Sequence, residues 1–251
     1  MPQLQNSGKN KVALITGASR GIGASAALLL AKNGYDVAIN YLENKDKAEE
    51  VANQARKFGV KAIVVKADLG SEQEIVDMFL TIDGKLGAIN ALVNNGGISS
   101  GFQPIEKIDF NYLEKIYKTN VFGVFICCRE AIKRMKQENE GAIVNVSSLA
   151  AKLGGFRMSA YASSKAAISN FTIGLSKEVA EFGIRINDVA PGVIDTDTQK
   201  GIPENRLNHL NSSIPLKRMG TAREVAEVIF WLLSNKSSYV TGSTLSVTGG
   251  K

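Results

Sequence analysis

Two side chains one helical turn apart can transfer a proton: Tyr161 and Lys165. A free phenol has a pKa of about 10, and a fixed ammonium group beside it favours the phenolate and lowers that pKa. Such a pair suits the reduction of a carbonyl group, because the alkoxide that forms must receive a proton. The same Tyr-x-x-x-Lys spacing occurs at Tyr41 and Lys45, but only the later pair lies in a predicted helix, where residues i and i+4 share a face.

A serine upstream of this pair can orient a substrate oxygen. Ser148 follows the predicted strand 142–147, whose carboxyl end lies where ligands bind in a parallel sheet. Its hydroxyl can donate a hydrogen bond to that oxygen. Ser147 should face the other side of the strand, because successive side chains alternate. We therefore select Ser148 as the partner of Tyr161.

A glycine-rich turn can bind a phosphate. The segment 16–23 (TGASRGIG) follows the first predicted strand and opens a helix. Gly17 permits the tight turn, Gly21 lets the backbone approach a pyrophosphate, and Gly23 lets the helix pack on the strand. The free N–H groups and partial positive charge of the helix N-terminus then face the phosphate.

Short apolar runs alternate with longer amphipathic segments along the whole chain. The predicted strands cover residues 12–16, 36–40, 62–66, 91–94, 142–147, 184–189 and 244–247. The predicted helices cover residues 22–33, 45–58, 71–84, 112–136, 160–182 and 221–234. Continuous hydrophobic strands favour a parallel sheet that is buried on both faces, and successive strand–helix–strand units favour right-handed crossovers. We expect an α/β, single-domain Rossmann fold over residues 1–251, with a doubly wound parallel seven-stranded sheet and helices on both faces. The irregular segment 192–220 should be a substrate loop or lid.

Composition excludes several other classes of protein. The net charge is +6, but the basic residues alternate with acidic ones, which disfavours a nucleic-acid partner and favours attraction of anionic small molecules. His209 is the only histidine, and the only cysteines, Cys127 and Cys128, are adjacent. We therefore expect no metal site, no Ser-His-Asp triad and no disulfide framework. No stretch is long and apolar enough to span a membrane, and we expect a cytoplasmic protein.

On these motifs the chain resembles the short-chain dehydrogenase/reductase family, in the branch whose members have about this length, with bacterial glucose-dehydrogenase-like reductases nearest. The resemblance covers nearly the whole chain and implies a catalytic set of Asn120, Ser148, Tyr161 and Lys165. It also implies that Lys165 binds the nicotinamide ribose and that Asn120 holds a water between Lys165 and solvent. The cofactor contacts that it implies are Gly17, Ser19, Arg20, Gly21, Ile22, Gly23, Asp68, Leu69, Asn95, Gly96, Tyr161, Lys165, Pro191, Gly192, Ile194 and Thr196.

Two residues depart from the family pattern. Gly96 stands where alanine is usual, which should only loosen the backbone. Asp188 puts a carboxylate in a predicted strand where a small residue is common, and if it is buried it needs a partner. The residue pattern names no partner for it.

The resemblance implies hydride transfer between a nicotinamide cofactor and a carbonyl or alcohol carbon. We expect NADP(H) rather than NAD(H), because the second strand ends in residues 39–42 (INYL), without the acid that binds the ribose 2′-hydroxyl in NAD-preferring folds. Arg20, in the glycine turn, should bind the 2′-phosphate. A homotetramer, with helices 112–136 and 160–182 at the subunit contacts, is also implied by the resemblance.

The substrate is a small molecule whose identity the residues leave open. The segment 192–220 is polar and contains no aromatic residue, which favours a sugar- or polyol-like substrate. Its polar residues include Asn205, Asn208, His209, Asn211, Ser212 and Ser213. A lid with a polar, solvated exterior explains the same residues equally well. A 3-oxoacyl carrier-protein reductase is the alternative, although acidic carrier proteins favour a basic docking surface and Glu138 and Glu140 precede the Ser148 strand. A non-catalytic NADP-binding regulatory protein is the alternative of another class.

Overall fold

Uninterrupted aliphatic segments form the strands at the centre of the protein. Strands β1 (Val12–Ile15), β2 (Asp36–Tyr41) and β5 (Gly141–Val146) are buried along their whole lengths, as expected of strands covered by helices on both faces. The other strands are β3 (Ala62–Lys66), β4 (Ala91–Asn94), β6 (Ile184–Pro191), β7 (Ile194–Asp195), β8 (Gly220–Thr221) and β9 (Thr244–Val247). The computed structural model describes residues 11–99, 101–196 and 210–251, and statements about structure refer to these residues.

Amphipathic segments form the helices that cover the strands. They are α1 (Gly21–Lys32), α2 (Lys45–Arg56), α3 (Glu72–Lys85), α4 (Phe110–Tyr117), α5 (Gly123–Glu138), α6 (Ala150–Leu153), α7 (Ser159–Val179) and α8 (Ala222–Leu233). Polar residues define where several of them begin. The Ser71 hydroxyl accepts the Glu74 N–H at the start of α3, and Thr221 and Glu224 form a reciprocal capping box at the start of α8.

The sheet has the strand order β3-β2-β1-β4-β5-β6-β9, and every neighbouring pair is parallel. One hydrophobic cluster, which includes Leu30 and Ile229, covers one face, and a second, which includes Phe79 and Met135, covers the other. The predicted doubly wound parallel seven-stranded sheet is confirmed. Because the strand order reverses between β1 and β4, a crevice opens at their carboxyl ends.

The predicted helical stretch 112–136 lies within residues 110–138, which are helical throughout but not uniformly α-helical. Helix α4 gives way to a π-helical turn at Lys118–Phe122, and α5 follows. A Cβ atom at Gly123 would overlap the carbonyl oxygen of Leu69, so the start of α5 packs directly on backbone after β3. The π-helical turn adds a residue to the helical path, and Asn120 within it is fully buried.

A small parallel sheet, in which β7 pairs with β8, joins the two ends of the segment 192–220. Residues 197–209 of the predicted substrate loop lie outside the described residues, and Asn205, Asn208 and His209 lie outside them too. In the described ranges, no helix combines the length and the apolar character that crossing a membrane requires.

Replacing Gly23 by alanine should destabilise the fold. A Cβ atom there would lie 2.6 Å from both the Gly17 carbonyl oxygen and the Asn95 side-chain nitrogen, so α1 would have to move away from β1. We expect a loss of about 1–3 kcal/mol in the free energy of unfolding, measured by urea denaturation. Gly84 is the matched helical control, because no neighbouring atom of the described chain lies within 4 Å of its added Cβ. Gly84→Ala should be neutral or stabilising by up to about 1 kcal/mol, and equal midpoints for the two variants would contradict the prediction.

Candidate active site

Two adjoining cavities open at the carboxyl edge of the sheet. The larger, of about 660 Å³, extends over the ends of β2 and β3, and the smaller, of about 320 Å³, lies against α7. Both are lined by Gly17, Arg20, Asn95, Gly97 and Ile98. One extended ligand can therefore reach from one cavity to the other across the glycine turn.

The glycine turn has the backbone expected of a phosphate site. Gly17 and Gly21 have φ values of +60° and +57°, in the region that favours glycine. A Cβ atom at Gly17 would lie 2.7 Å from the Cα of Gly96, so a side chain at this position would collide with the loop after β4. Arg20 is the extended N-cap residue of α1, and no side chain of the described chain caps that end. The first N–H groups of α1 are therefore available to an anion in the crevice.

Asn40 supports this turn, although the sequence pattern did not reveal it. Its Oδ1 accepts a hydrogen bond from the Gly17 N–H at 3.1 Å. Its Nδ2 donates to the carbonyl oxygens of Val65 and Ala67 at 3.4 and 3.1 Å. The buried Asn40 thereby links the glycine turn to the end of β3. The available signal was an amide at the end of a buried strand, because a buried polar group needs partners.

The loop after β4 is bound to the same turn. The Thr16 hydroxyl accepts the N–H groups of Asn95 and Gly96 at 3.0 and 2.9 Å, and the Asn95 Nδ2 donates to the carbonyl oxygens of Thr16 and Gly17 at 3.0 and 3.1 Å. The effect of Gly96 on the backbone stays a prediction, but its lack of a side chain also affects local packing. A Cβ atom there would overlap the end of the Leu69 side chain, so this glycine makes room for Leu69 beside the larger cavity.

The predicted proton-transfer pair lies in the smaller cavity. Tyr161, Ser148 and Lys165 all line this cavity, and the Ser148 side chain lies close enough to Tyr161 to affect its pKa. The Lys165 Nζ donates to the Val146 carbonyl oxygen at 2.8 Å and lies 5.9 Å from the centroid of the Tyr161 ring. The end of β5 and one face of α7 thus bring Ser148, Tyr161 and Lys165 together.

Burial shifts the pKa values of this pair in opposite directions. It raises the pKa of Tyr161 above its usual value, and the hydrogen bond with Ser148 offsets part of that change. It lowers the pKa of Lys165 to about 8, and the negative charge of Asp188 opposes that change. In the protein alone, desolvation of the phenolate is therefore the dominant effect on Tyr161, and the lowering expected from Lys165 together with an oxidised cofactor stays a prediction.

Asn120 joins two parts of the site. Its Oδ1 accepts the Ile98 N–H at 2.8 Å, and its Nδ2 donates to the Ile98 carbonyl oxygen at 3.0 Å and to the Ser164 hydroxyl at 3.2 Å. The side chain therefore connects the loop after β4 with α7, at the residue preceding Lys165. The water that the family resemblance assigns to Asn120 stays a prediction.

The remaining predicted contact residues divide between the two cavities. The larger cavity is lined by Ser19, Asp68, Leu69 and Gly96. The smaller cavity is lined by Gly21, Ile22, Pro191, Gly192, Ile194 and Thr196. Gly23 packs α1 against the turn instead. Ser147 donates its hydroxyl to the Asp188 carboxylate at 2.8 Å, so the choice of Ser148 as the partner of Tyr161 agrees with the geometry.

Comparisons with known proteins place this arrangement in a family. A family model described as enoyl-(acyl carrier protein) reductase matches residues 17–251. The chain is 48% identical over 245 residues to the uncharacterized oxidoreductase YgfF of Escherichia coli strain K12, a match that spans 96% of this chain and 99% of YgfF. The chain belongs to the short-chain dehydrogenase/reductase family.

Two further members show how widely the activities of this family range. The 3-oxoacyl-(acyl-carrier-protein) reductase FabG of Staphylococcus epidermidis is 36% identical over 241 residues, which span 96% of this chain and 98% of FabG. The crystal structure of an NAD⁺-bound xylitol dehydrogenase superposes with a TM-score of 0.91 at 29% identity, covering 98% of this chain and 100% of that one. This short-chain dehydrogenase/reductase is therefore an oxidoreductase that uses a nicotinamide cofactor.

The crevice of this short-chain dehydrogenase/reductase fits such a cofactor. The close approach of the Gly96 backbone leaves no room for a side chain at Gly17, while the open N-terminus of α1 supplies N–H groups for a pyrophosphate. The larger cavity has space for the adenosine half. The smaller cavity brings Tyr161 and Lys165 to the other half.

Asn40→Ala should weaken both the fold and cofactor binding. The substitution removes the partner of the Gly17 N–H and of the Ala67 carbonyl oxygen, and each buried group left unpaired costs about 1–3 kcal/mol. Urea unfolding should show that loss, and the dissociation constant of the nicotinamide cofactor should rise. Asn53→Ala, at an exposed position on α2, should change stability by less than about 0.5 kcal/mol. Equal cofactor affinities in the two variants would count against the supporting role of Asn40.

Proposed function

We propose that this enzyme is an NADP(H)-dependent oxidoreductase that interconverts a carbonyl group and an alcohol by hydride transfer, with Tyr161 as the general acid and base. The observation that carries the proposal is that Ser148, Tyr161 and Lys165 line one cavity together with the glycine turn. A phenol, a hydroxyl and an amine then converge where a substrate oxygen can bind.

The nicotinamide cofactor supplies or accepts the hydride, and the protein controls the proton. In reduction, Ser148 and Tyr161 hydrogen-bond the substrate oxygen, and Tyr161 gives that oxygen its proton as the alkoxide forms. Burial keeps Tyr161 protonated, which suits this direction. Lys165, protonated below a pH of about 8, stabilises the phenolate that remains and would bind the nicotinamide ribose. In oxidation the phenolate of Tyr161 accepts the alcohol proton.

Three observations support NADP(H) as the cofactor. The second strand ends in Asn40 and Tyr41 rather than in an acid, and the amide of Asn40 is already bonded inside the protein. Arg20 lies at the N-terminus of α1, lines both cavities and is exposed to a ligand. Lys45 also lines the larger cavity, although Glu43 lines it too. A guanidinium group beside the turn suits a 2′-phosphate.

A small polar molecule, similar to a sugar or polyol, is the proposed substrate. The smaller cavity holds Ser99 beside Ser148 and Tyr161, and the xylitol dehydrogenase of similar fold acts on a polyol by its name. The second candidate is a 3-oxoacyl carrier-protein thioester, which the similarity to FabG favours. Assays with polyols plus NADP⁺ and with acetoacetyl thioesters plus NADPH distinguish the two.

We also propose that the enzyme is a homotetramer, as the family resemblance implies. Phe122 and Phe125, near the start of α5, are 53% and 45% exposed. The Phe125 ring stacks on Phe171 of α7 at 3.7 Å between centroids. An apolar surface that spans these two helices supports a contact with a second copy of the chain.

Tyr161→Phe should abolish turnover and leave cofactor binding intact. The variant keeps the ring but loses the proton donor, so kcat should fall by at least about a hundredfold, while NADPH binding followed by fluorescence stays close to that of the parent protein. Tyr239→Phe, at a fully exposed tyrosine, is the matched control and should keep full activity. A Tyr161→Phe enzyme that retains most of its turnover would refute the role of Tyr161.

Arg20→Ala should reduce the preference for NADPH. A charged hydrogen bond to phosphate is worth about 1.5–3 kcal/mol, so the ratio of kcat/KM for NADPH to that for NADH should fall by about 10- to 100-fold. Arg223→Ala, in an exposed ion pair on α8, should leave the ratio unchanged. A parent ratio below one would rule out NADP(H) as the preferred cofactor.

A further inference from the structure

The carboxylate of Asp188 is buried at the catalytic end of the sheet and fully hydrogen-bonded. Asp188, in β6, is 0% exposed. Its Oδ1 accepts the Ser147 N–H at 3.1 Å. Its Oδ2 accepts the hydroxyls of Ser169, Ser147 and Thr244 at 2.7, 2.8 and 3.2 Å. Burial raises the pKa of Asp188, and these four donors offset part of that rise because hydrogen bonds to an anion stabilise it.

These donors are neighbours of the proposed catalytic residues. Ser147 directly precedes Ser148 in the chain. The hydrogen bonds from Ser147 to Asp188 therefore fix the backbone next to the Ser148 side chain. Ser169 lies one turn after Lys165 on α7, and its hydroxyl is also within 3.3 Å of the Lys165 carbonyl oxygen. Asp188 therefore connects the segment after β5 with α7, which form two sides of the smaller cavity, and does not itself line that cavity.

The charge of Asp188 acts on the Lys165 side chain. Lys165 is 5% exposed, and its one neutral acceptor in the described chain is the Val146 carbonyl oxygen. Burial of an ammonium group favours its neutral form. Among the described residues, the charge of Asp188 on β6 counters this effect on Lys165. The Tyr161 ring, on α7, lies 5.9 Å from the amine, and Ser147 and Thr244, which donate to Asp188, carry no charge.

We propose that Asp188 is a positioning residue that holds the Ser148 backbone against α7 and provides the opposite charge for the Lys165 ammonium group. This inference rests on the function proposed above, in which a protonated Lys165 assists Tyr161. It also explains why a carboxylate replaces the small residue that is common at this strand position.

Asp188→Asn tests the role of the charge, because asparagine keeps the size and most of the hydrogen bonds. The titration of Lys165 is followed in the cofactor-free protein by NMR of ¹³C-labelled lysine, with the signal identified from its loss in Lys165→Arg. We expect the midpoint to move to lower pH than in the parent protein. The high-pH limb of kcat/KM should move in the same direction, and each pH unit of movement corresponds to about tenfold in activity beyond the limb.

Two further variants separate charge from packing. Asp36→Asn changes a buried acid at the opposite end of the sheet and should leave the Lys165 midpoint unchanged. Ser169→Ala keeps the carboxylate charge and removes its shortest hydrogen bond, so the Lys165 midpoint should stay close to that of the parent protein. If Asp188→Asn does not fold, as judged by circular dichroism, Asp188→Ser removes the charge with a smaller side chain and provides the test.

The outcomes distinguish this inference from the proposed function. An unchanged Lys165 midpoint in folded Asp188→Asn, or in Asp188→Ser if Asp188→Asn does not fold, would overturn the role of Asp188. A shifted midpoint without any movement of the kcat/KM limb would overturn the link between the charge and turnover. If Lys165→Ala keeps full activity, the proposed function fails, whatever the titration shows.

Discussion

A buried ammonium group is the constraint around which the catalytic end of this enzyme is organised. A charged group leaves water only if it is paired and hydrogen-bonded. Lys165 meets this requirement because α7 lies across the carboxyl end of β5, where the Val146 carbonyl oxygen accepts a hydrogen bond from its ammonium group. Asp188, one strand further along the sheet, provides the opposite charge. The parallel sheet thus supplies a backbone acceptor at the same edge at which the glycine turn opens.

Directional polar contacts, in addition to apolar packing, position α7 on the sheet. The Asn94 Nδ2 donates to the Asn145 Oδ1 at 2.9 Å, and the Asn145 Nδ2 donates to the Thr172 hydroxyl at 2.9 Å. These side chains are buried, and within the described part of the chain no buried side-chain nitrogen or oxygen lacks a partner. Hydrophobic contact alone tolerates sliding because it is non-directional. A satisfied polar network specifies one arrangement of β4, β5 and α7.

Periodicity and local motifs predicted those features that depend on neighbours in sequence. The strands of the sheet, the glycine turn and the choice of Ser148 over Ser147 all follow from rules that act over a few residues. The π-helical turn at Lys118–Phe122 did not follow, because it arises where Gly123 packs on backbone far away in the chain. The sequence did not reveal the partners of Asn40 for the same reason, because Gly17, Val65 and Ala67 are distant from it in the chain. A buried amide or acid indicates that partners exist, but the tertiary fold decides which groups they are.

The opposite pKa shifts of Tyr161 and Lys165 have a consequence for the direction of the proposed reaction. In the protein alone, burial disfavours both charged forms, so raising the pH removes the proton of Lys165 before that of Tyr161. A protonated phenol beside an ammonium group is ready to give a proton, which reduction requires. Oxidation requires the phenolate instead, and a second positive charge near Tyr161 is then needed to offset desolvation. An oxidised nicotinamide ring carries that charge, so the same two residues can serve either direction, according to the redox state of the cofactor beside them.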